Sequence, residues 1–244
     1  MKLGGIAITA LLLTAATAPG TKPRATAPAT KAPAAPATPP VAGDWNSYVR
    51  VSPMGTYIVG NPRAAVKVIE YLSYTCPHCA AFSTESGSVF RDQMIKSGSL
   101  VVEYRPTIRD QIDLGATLLL RCIGPRRAPA AAEALFAKQD SWLGVAIRYL
   151  QNDANRYSLE PPMEQARIGA QLSGVADIMR EQGMTSAEID ACFAKPEGLR
   201  QSLAVAQDAS KIVRGTPTFI VNGVKAEAFE WHTLEPILRA KGAH

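Results

Sequence analysis

The sequence predicts an α/β domain interrupted by an all-helical insertion, and three observations carry that prediction. Residues Ala65-Val66-Lys67-Val68-Ile69-Glu70-Tyr71-Leu72 are β-rich with partial alternation, as in a buried strand. From Asp113 to Val213 the apolar residues recur almost throughout at helical spacing. The chain then returns to a short β run, Thr218-Phe219-Ile220-Val221. It is followed by Asn222-Gly223, a dipeptide suited to a two-residue hairpin turn because both positions need positive φ. The order is strand–helix–strand, a helical block, then strand–strand–helix.

Taken from the start, residues 1–18 have the make-up of an export signal. Lys2 supplies a positive charge, Ile6 to Leu13 form a short apolar core, and small residues follow up to Ala18. The apolar run is shorter than the roughly 20 residues a spanning helix needs. Cleavage after Ala16 and retention as an N-terminal anchor are the two outcomes that fit. Residues 19–43 are mostly Ala, Pro, Thr and Lys, a composition that buries no core and suits a spacer. The folded body begins near Asp44.

The net charge of +5 is concentrated at the front. Lys2, Lys22, Arg24 and Lys31 lie in the first 43 residues, which hold no acid; setting those four aside from the 26 basic residues leaves 22 against 21 acidic. A nearly neutral body with no basic stripe argues against a nucleic-acid partner, which needs clustered cations to displace counterions.

A helix starts at Cys76-Pro77-His78-Cys79 and runs to about Lys96, with Phe82, Phe90 and Met94 on its apolar side and Gly98 as its stop. Leu100 to Tyr104 is the second strand. In the helical block Leu114, Leu118 and Cys122 share one face, and Ile168, Leu172, Val175 and Met179 another. Thr185-Ser186-Ala187-Glu188 is a capping-box pattern that opens a helix bearing Ile189, Cys192 and Phe193. Leu199, Leu203, Ala206 and Val213 mark a last long helix ended by Gly215. After Asn222-Gly223, Val224 opens a returning strand. A closing helix over about 233–241 turns Leu234 and Leu238 inward.

Two cysteines spaced C-x-x-C at a strand-to-helix junction point to redox chemistry. The first amides of a helix lack internal partners and carry partial positive charge, so a sulfur at Cys76 is stabilised as thiolate. Cys79 lies on the same side of the first turn and can close a disulfide with it. Pro77 fits a first-turn position, where its missing N–H is no loss. His78, between the sulfurs, can donate to the thiolate. Each pKa unit removed from Cys76 stabilises the reduced form by about 1.4 kcal/mol. That makes the couple roughly 30 mV more oxidising. A zinc centre would need further ligands. His78, His232 and His244 show no ligand spacing, and Cys122 and Cys192 stand alone on helical faces. No metal and no cofactor is expected. The four cysteines allow three pairings, among which the sequence alone does not choose.

The motif Cys-Pro-His-Cys after Val68-Ile69-Glu70-Tyr71-Leu72-Ser73-Tyr74-Thr75, together with Val213-Arg214-Gly215-Thr216-Pro217-Thr218-Phe219-Ile220-Val221-Asn222-Gly223, resembles the DsbA family of extracytoplasmic disulfide-forming proteins. The resemblance covers about residues 44–241. It implies a thioredoxin fold with a helical insertion at about 110–195, for which the 138 residues from Cys79 to Pro217 leave room. It implies that Cys76 is the exposed nucleophile and Cys79 the buried resolving cysteine. It further implies that Thr216-Pro217 is a cis-proline element facing the site and pairing to substrate, and that Glu70 is a buried acid assisting proton transfer at the inner sulfur. A second disulfide, Cys122 to Cys192, is also implied by similar proteins. So are reduced exported proteins as substrates, a membrane reoxidase resembling DsbB, and residence in the periplasm. Thr216 and Thr75 depart from the apolar and aromatic residues frequent at those positions, which bears on redox strength and partner choice. Beside an oxidase, the sequence leaves an isomerase or reductase, or a redox-inactive peptide-binding adaptor. Retention of both Cys76 and Cys79 argues against the adaptor.

Overall fold

The computed structural model describes residues 43–244, so the expected export signal and nearly all of the expected spacer lie outside the described residues. Six strands form one sheet in the order β1-β2-β4-β3-β5-β6. Its centre is β3 (Val66–Leu72), paired in parallel with β4 (Leu100–Pro106) and antiparallel with β5 (Thr218–Val221). The short β6 (Val224–Lys225) returns after Asn222 and Gly223, whose φ values of 48° and 84° are those the hairpin turn requires. The hairpin of β1 (Val49–Val51) and β2 (Tyr57–Gly60) extends the sheet beyond β4. These two strands have no counterpart in the sequence-based expectation. At three and four residues, they are too short to show a period.

Strand alternation puts Val66, Val68 and Glu70 on one face while Lys67 faces solvent. Against that face pack α1 (Pro77–Val89) and α9 (Trp231–Ala240). Phe82 of α1 meets Phe219 of β5 at 4.6 Å between ring centroids, with Phe90 and Trp231 completing the cluster. Leu234 and Leu238 are fully buried, as expected. Each such side chain contributes about 2–3 kcal/mol on leaving water. After Val89 the helix loosens into a π-helical turn, Phe90–Ile95, and stops at Gly98. Gly98 has φ of +84°, and a Cβ there would lie 2.6 Å from the Trp45 ring.

Between β4 and β5 come seven helices: α2 (Gln111–Ile123), α3 (Ala128–Ala137), α4 (Gln139–Tyr157), α5 (Pro162–Ser173), α6 (Val175–Glu181), α7 (Ser186–Phe193) and α8 (Pro196–Ser210). They enclose a second core, with Leu114, Leu118, Leu119, Leu135, Met179 and Ile189 at its centre. Gly115 lets α2 and α5 touch, since a Cβ there would come within 2.5 Å of the Ala166 carbonyl oxygen. Helices α2 to α7 lie within 111–193, and α8, which packs along β4 as well as α2, leads back to the sheet.

Two expected helical faces are corrected. Ile168, Leu172, Val175 and Met179 do not form one stripe, because Gly174 at φ +92° separates α5 from α6 and Leu172 is exposed. In α8 the inward residues are Ser202, Val205 and Ala209, while Leu203 is exposed and the helix ends before Val213. Packing along β4 and α2 selects small residues there, so the larger leucine marks the wrong side.

Candidate active site

Strand β3 ends at Leu72, and the loop 73–76 carries the chain into α1. Cys76 is the N-cap, in extended conformation with φ −91° and ψ 118°, and Pro77 takes the first helical position. The Cys76 carbonyl accepts the amides of Cys79 at 3.1 Å and Ala80 at 3.2 Å, which starts the helix. Both thiols are free. Cys79 is completely buried. Cys76 exposes only 4% of its surface, so the exposed nucleophile implied by resemblance is corrected to a nearly buried one. The outward positions of the motif belong to Pro77 and His78. The cover over the sulfur is the loop before β5: Cys76 Sγ lies 3.2 Å from the Thr216 carbonyl oxygen, to which it donates while it is a thiol. The Thr216–Pro217 peptide is cis.

The two sulfurs have opposite acidities. Hydrogen bonding from the Cys79 thiol, and then from the Thr216 side chain and the amides of Cys79 and His78, outweighs burial. Together they hold the Cys76 pKa down to about 4. The same bond to Cys76, reinforced by burial and the nearby Glu70, pushes Cys79 far above the ordinary thiol range. His78 contributes its amide to this stabilisation, and its side chain lies at the exposed surface of the motif.

Glu70, on β3 beneath the pair, is 4% exposed, and burial raises its pKa to about 8. Its carboxyl group makes no hydrogen bond to another described residue. It faces a cavity of about 590 Å³ lined also by Tyr57, Tyr74, Phe82, Tyr104 and Phe136. At neutral pH it is therefore mainly the uncharged acid, able to give or take a proton.

Sequence reasoning missed three residues of this site: Asp110, Asp113 and Gln139. Tyr74 N–H donates to Asp113 Oδ1 at 2.8 Å, Thr75 Oγ1 to Asp110 Oδ2 at 2.7 Å, and Gln139 Nε2 to the carbonyls of Tyr74 and Cys76 at 2.8 and 3.0 Å. Asp110 is legible as a helix N-cap, accepting from the amides of Ile112 and Asp113. Nothing in the linear order connects any of the three to residues 74–76.

Cys122 and Cys192 are joined by a disulfide between α2 and α7, with Cα atoms 6.0 Å apart. Cys192 is buried, but Cys122 is exposed at the surface end of α2, although the helical period placed both on apolar faces. Among the described residues no three His, Cys, Asp or Glu side chains gather as metal ligands.

A central parallel strand pair, a β-hairpin and helix closing the sheet, a helical block between them and a dithiol on the first helix define a thioredoxin-type architecture with a DsbA-like insertion. The sequence profile described as Thioredoxin matches residues 52–240, and the chain belongs to that family. A protein of Rickettsia bellii named a protein-disulfide oxidoreductase is 24% identical over 179 residues, covering 72% of this chain and 61% of that protein. The chain therefore spans less than two thirds of that relative's length. Among solved structures, a protein-disulfide isomerase from Novosphingobium aromaticivorans is similar at a TM-score of 0.71 and 29% identity, covering 77% of this chain and 98% of the other. Alpha-DsbA1 of Wolbachia pipientis shares the fold at a TM-score of 0.54 and 21% identity, covering 78% and 92%.

Proposed function

We propose that this protein is an extracytoplasmic thiol–disulfide oxidoreductase that donates a Cys76–Cys79 disulfide to pairs of reduced cysteines in exported proteins. The observation that carries the reading is the split between the sulfurs, one held as thiolate at a helix start and the other held as thiol beneath it. In the oxidised protein a substrate thiolate attacks Cys76 Sγ, forming a mixed disulfide and releasing Cys79. The released Cys79 sulfur takes up a proton, with Glu70 as the adjacent buried acid. The second substrate thiolate then attacks the substrate sulfur of the mixed disulfide. Cys76 leaves as a stabilised thiolate, so the substrate is oxidised and the protein reduced. The electron pair is passed on when the dithiol is reoxidised, for which a quinone-linked membrane protein resembling DsbB is the proposed partner.

The periplasm is the proposed compartment, on the strength of the signal-like residues 1–18 and the cysteine chemistry. Among the described residues no helix is long and apolar enough to cross a membrane. The isomerase named among the similar structures keeps a second activity in play, and one assay separates them. Oxidised protein is mixed with a reduced, unfolded dithiol substrate, with Cys76→Ala as control. Stoichiometric oxidation within one turnover is expected. Activity on scrambled substrate alone would replace the oxidase by an isomerase, and binding without electron transfer would leave an adaptor.

A further inference from the structure

The loop before the dithiol is held by the helical insertion, not by the sheet from which it emerges. Every peptide group from Tyr74 to Cys76 has a partner. Tyr74 N–H goes to Asp113, Thr75 N–H to Ser73 Oγ, Cys76 N–H to the Ser73 carbonyl, and the Thr75 carbonyl accepts from Arg109. The carbonyls of Tyr74 and Cys76 share Gln139. Both of its partners are pure acceptors, so the amide nitrogen must be the group facing them. Gln139 is 2% exposed and opens α4; Asp113 is fully buried in the first turn of α2. The Tyr74 ring is itself seated in the insertion core against Phe136, at 5.3 Å between centroids.

We propose that Gln139, with Asp113 opposite it, is a positioning residue of the dithiol. By fixing the Cys76 carbonyl it fixes the Cys76 sulfur against the first amides of α1, so the insertion sets the oxidising strength of the pair. The Cys76 carbonyl already receives the Cys79 and Ala80 amides that start α1, and Gln139 is its third donor. Without that donor the Cys76 carbonyl keeps only the amides of α1 itself, and its peptide can tilt away from the orientation the insertion imposes. The sulfur then moves relative to amides whose attraction falls off within the first helical turn. Thiolate stabilisation is lost, the reduced form weakens, and the couple becomes less oxidising.

This inference rests on the exchange chemistry proposed above but is tested without a protein substrate. In the full-length chain, Gln139→Met keeps side-chain length and removes both donors. Thiolate absorbance should show the Cys76 titration shifted upward by about one unit. The equilibrium with glutathione should move about tenfold toward the oxidised protein, the equivalent of one pKa unit. A folded variant with unchanged titration and equilibrium would overturn the proposal. Should Gln139→Met fail to fold, Asp113→Asn carries the test. It keeps an acceptor for Tyr74 N–H while losing the one that receives Arg109 N–H at 2.9 Å. A shift of about threefold in the same direction supports the proposal, and an unchanged equilibrium overturns it. If the glutathione equilibrium responds while no protein dithiol is oxidised, the proposed function fails and this inference stands.

Discussion

Helix α2 holds the loop before one pair of cysteines at its start and carries a member of the other pair at its end, and the two pairs differ in their electrostatics. Its first turn, through Asp110 and Asp113, holds the loop that leads to Cys76. Twelve residues further on, about 18 Å along the axis, Cys122 bridges to Cys192. Cys76 caps the N-terminus of α1, where free amides favour an anion. Cys122 and Cys192 are each the penultimate residue of their helices, where free carbonyls disfavour one. The pairs differ in span as well: three residues on one turn against 70 along the chain. The same element is reactive or inert according to which end of a helix it occupies and how much chain it closes.

The comparison is broken most severely at the reactive end. Cys76→Ser should abolish oxidation of a dithiol substrate, since a serine hydroxyl neither forms nor releases a disulfide. The pair Cys122→Ser and Cys192→Ser should leave the rate within about twofold, because neither sulfur touches the dithiol. Stopped-flow oxidation of a reduced peptide reads both. A large loss in the double variant would mean that the bridge shapes the reactive end after all.

At the inert end the effect falls on stability. Opening a closed loop of 70 residues should cost about 4 kcal/mol in the chain-entropy description, measured by urea unfolding of the oxidised proteins. The Cys76 titration should not move. A loss near zero would mean that the helical core already restricts the unfolded chain.

Glu70 sharpens the contrast through pH. Its folded-state pKa, near 8, lies above its ordinary value of 4.5. Below about pH 4.5 it is protonated in both states and contributes no difference. As pH rises toward 8 the unfolded chain releases the proton and the folded chain retains it, so stability declines. Glu70→Gln should therefore match the parent at pH 4 and exceed it by about 4 kcal/mol at pH 8, with the dithiol reduced by glutathione. Parallel stability curves would show that the carboxyl group ionises as freely in the fold as outside it.

What the sequence disclosed and what it hid divide along similar lines. Features written into neighbouring residues were legible: the β3 run, the Asn222-Gly223 turn, Gly98 as a stop, and the cysteines at a helix start. The capping box of α7 belongs with them. Hidden were contacts made by folding back. Nothing near Gln139 announces that its amide serves Tyr74 and Cys76, more than 60 positions earlier. The carbonyl of Thr216 over Cys76 is 140 residues away, and only the family resemblance brought that segment to the site. The side of α8 facing inward is hidden for a related reason. Apolar spacing identifies a buried stripe only where large residues fill it, and α8 lies so close to its neighbours that Ser202 and Ala209 do.

The smallest predicted effect asks how the bridge at the inert end works. Thr185 caps α7, accepting from the Glu188 amide at 3.2 Å while the Glu188 carboxylate accepts from Thr185 N–H at 2.8 Å. Thr185→Ala should cost about 1 kcal/mol by urea unfolding. A disulfide that acts by restricting the unfolded chain leaves the folded helix as it was. The cap should then be worth the same whether or not Cys122 and Cys192 are bonded. The two changes should add within about 0.5 kcal/mol in a double-mutant cycle. If the cap matters much more once the bridge is gone, the disulfide is pinning the end of α7 in the folded state. The inert pair would then be a native-state clamp, as Gln139 is at the reactive one.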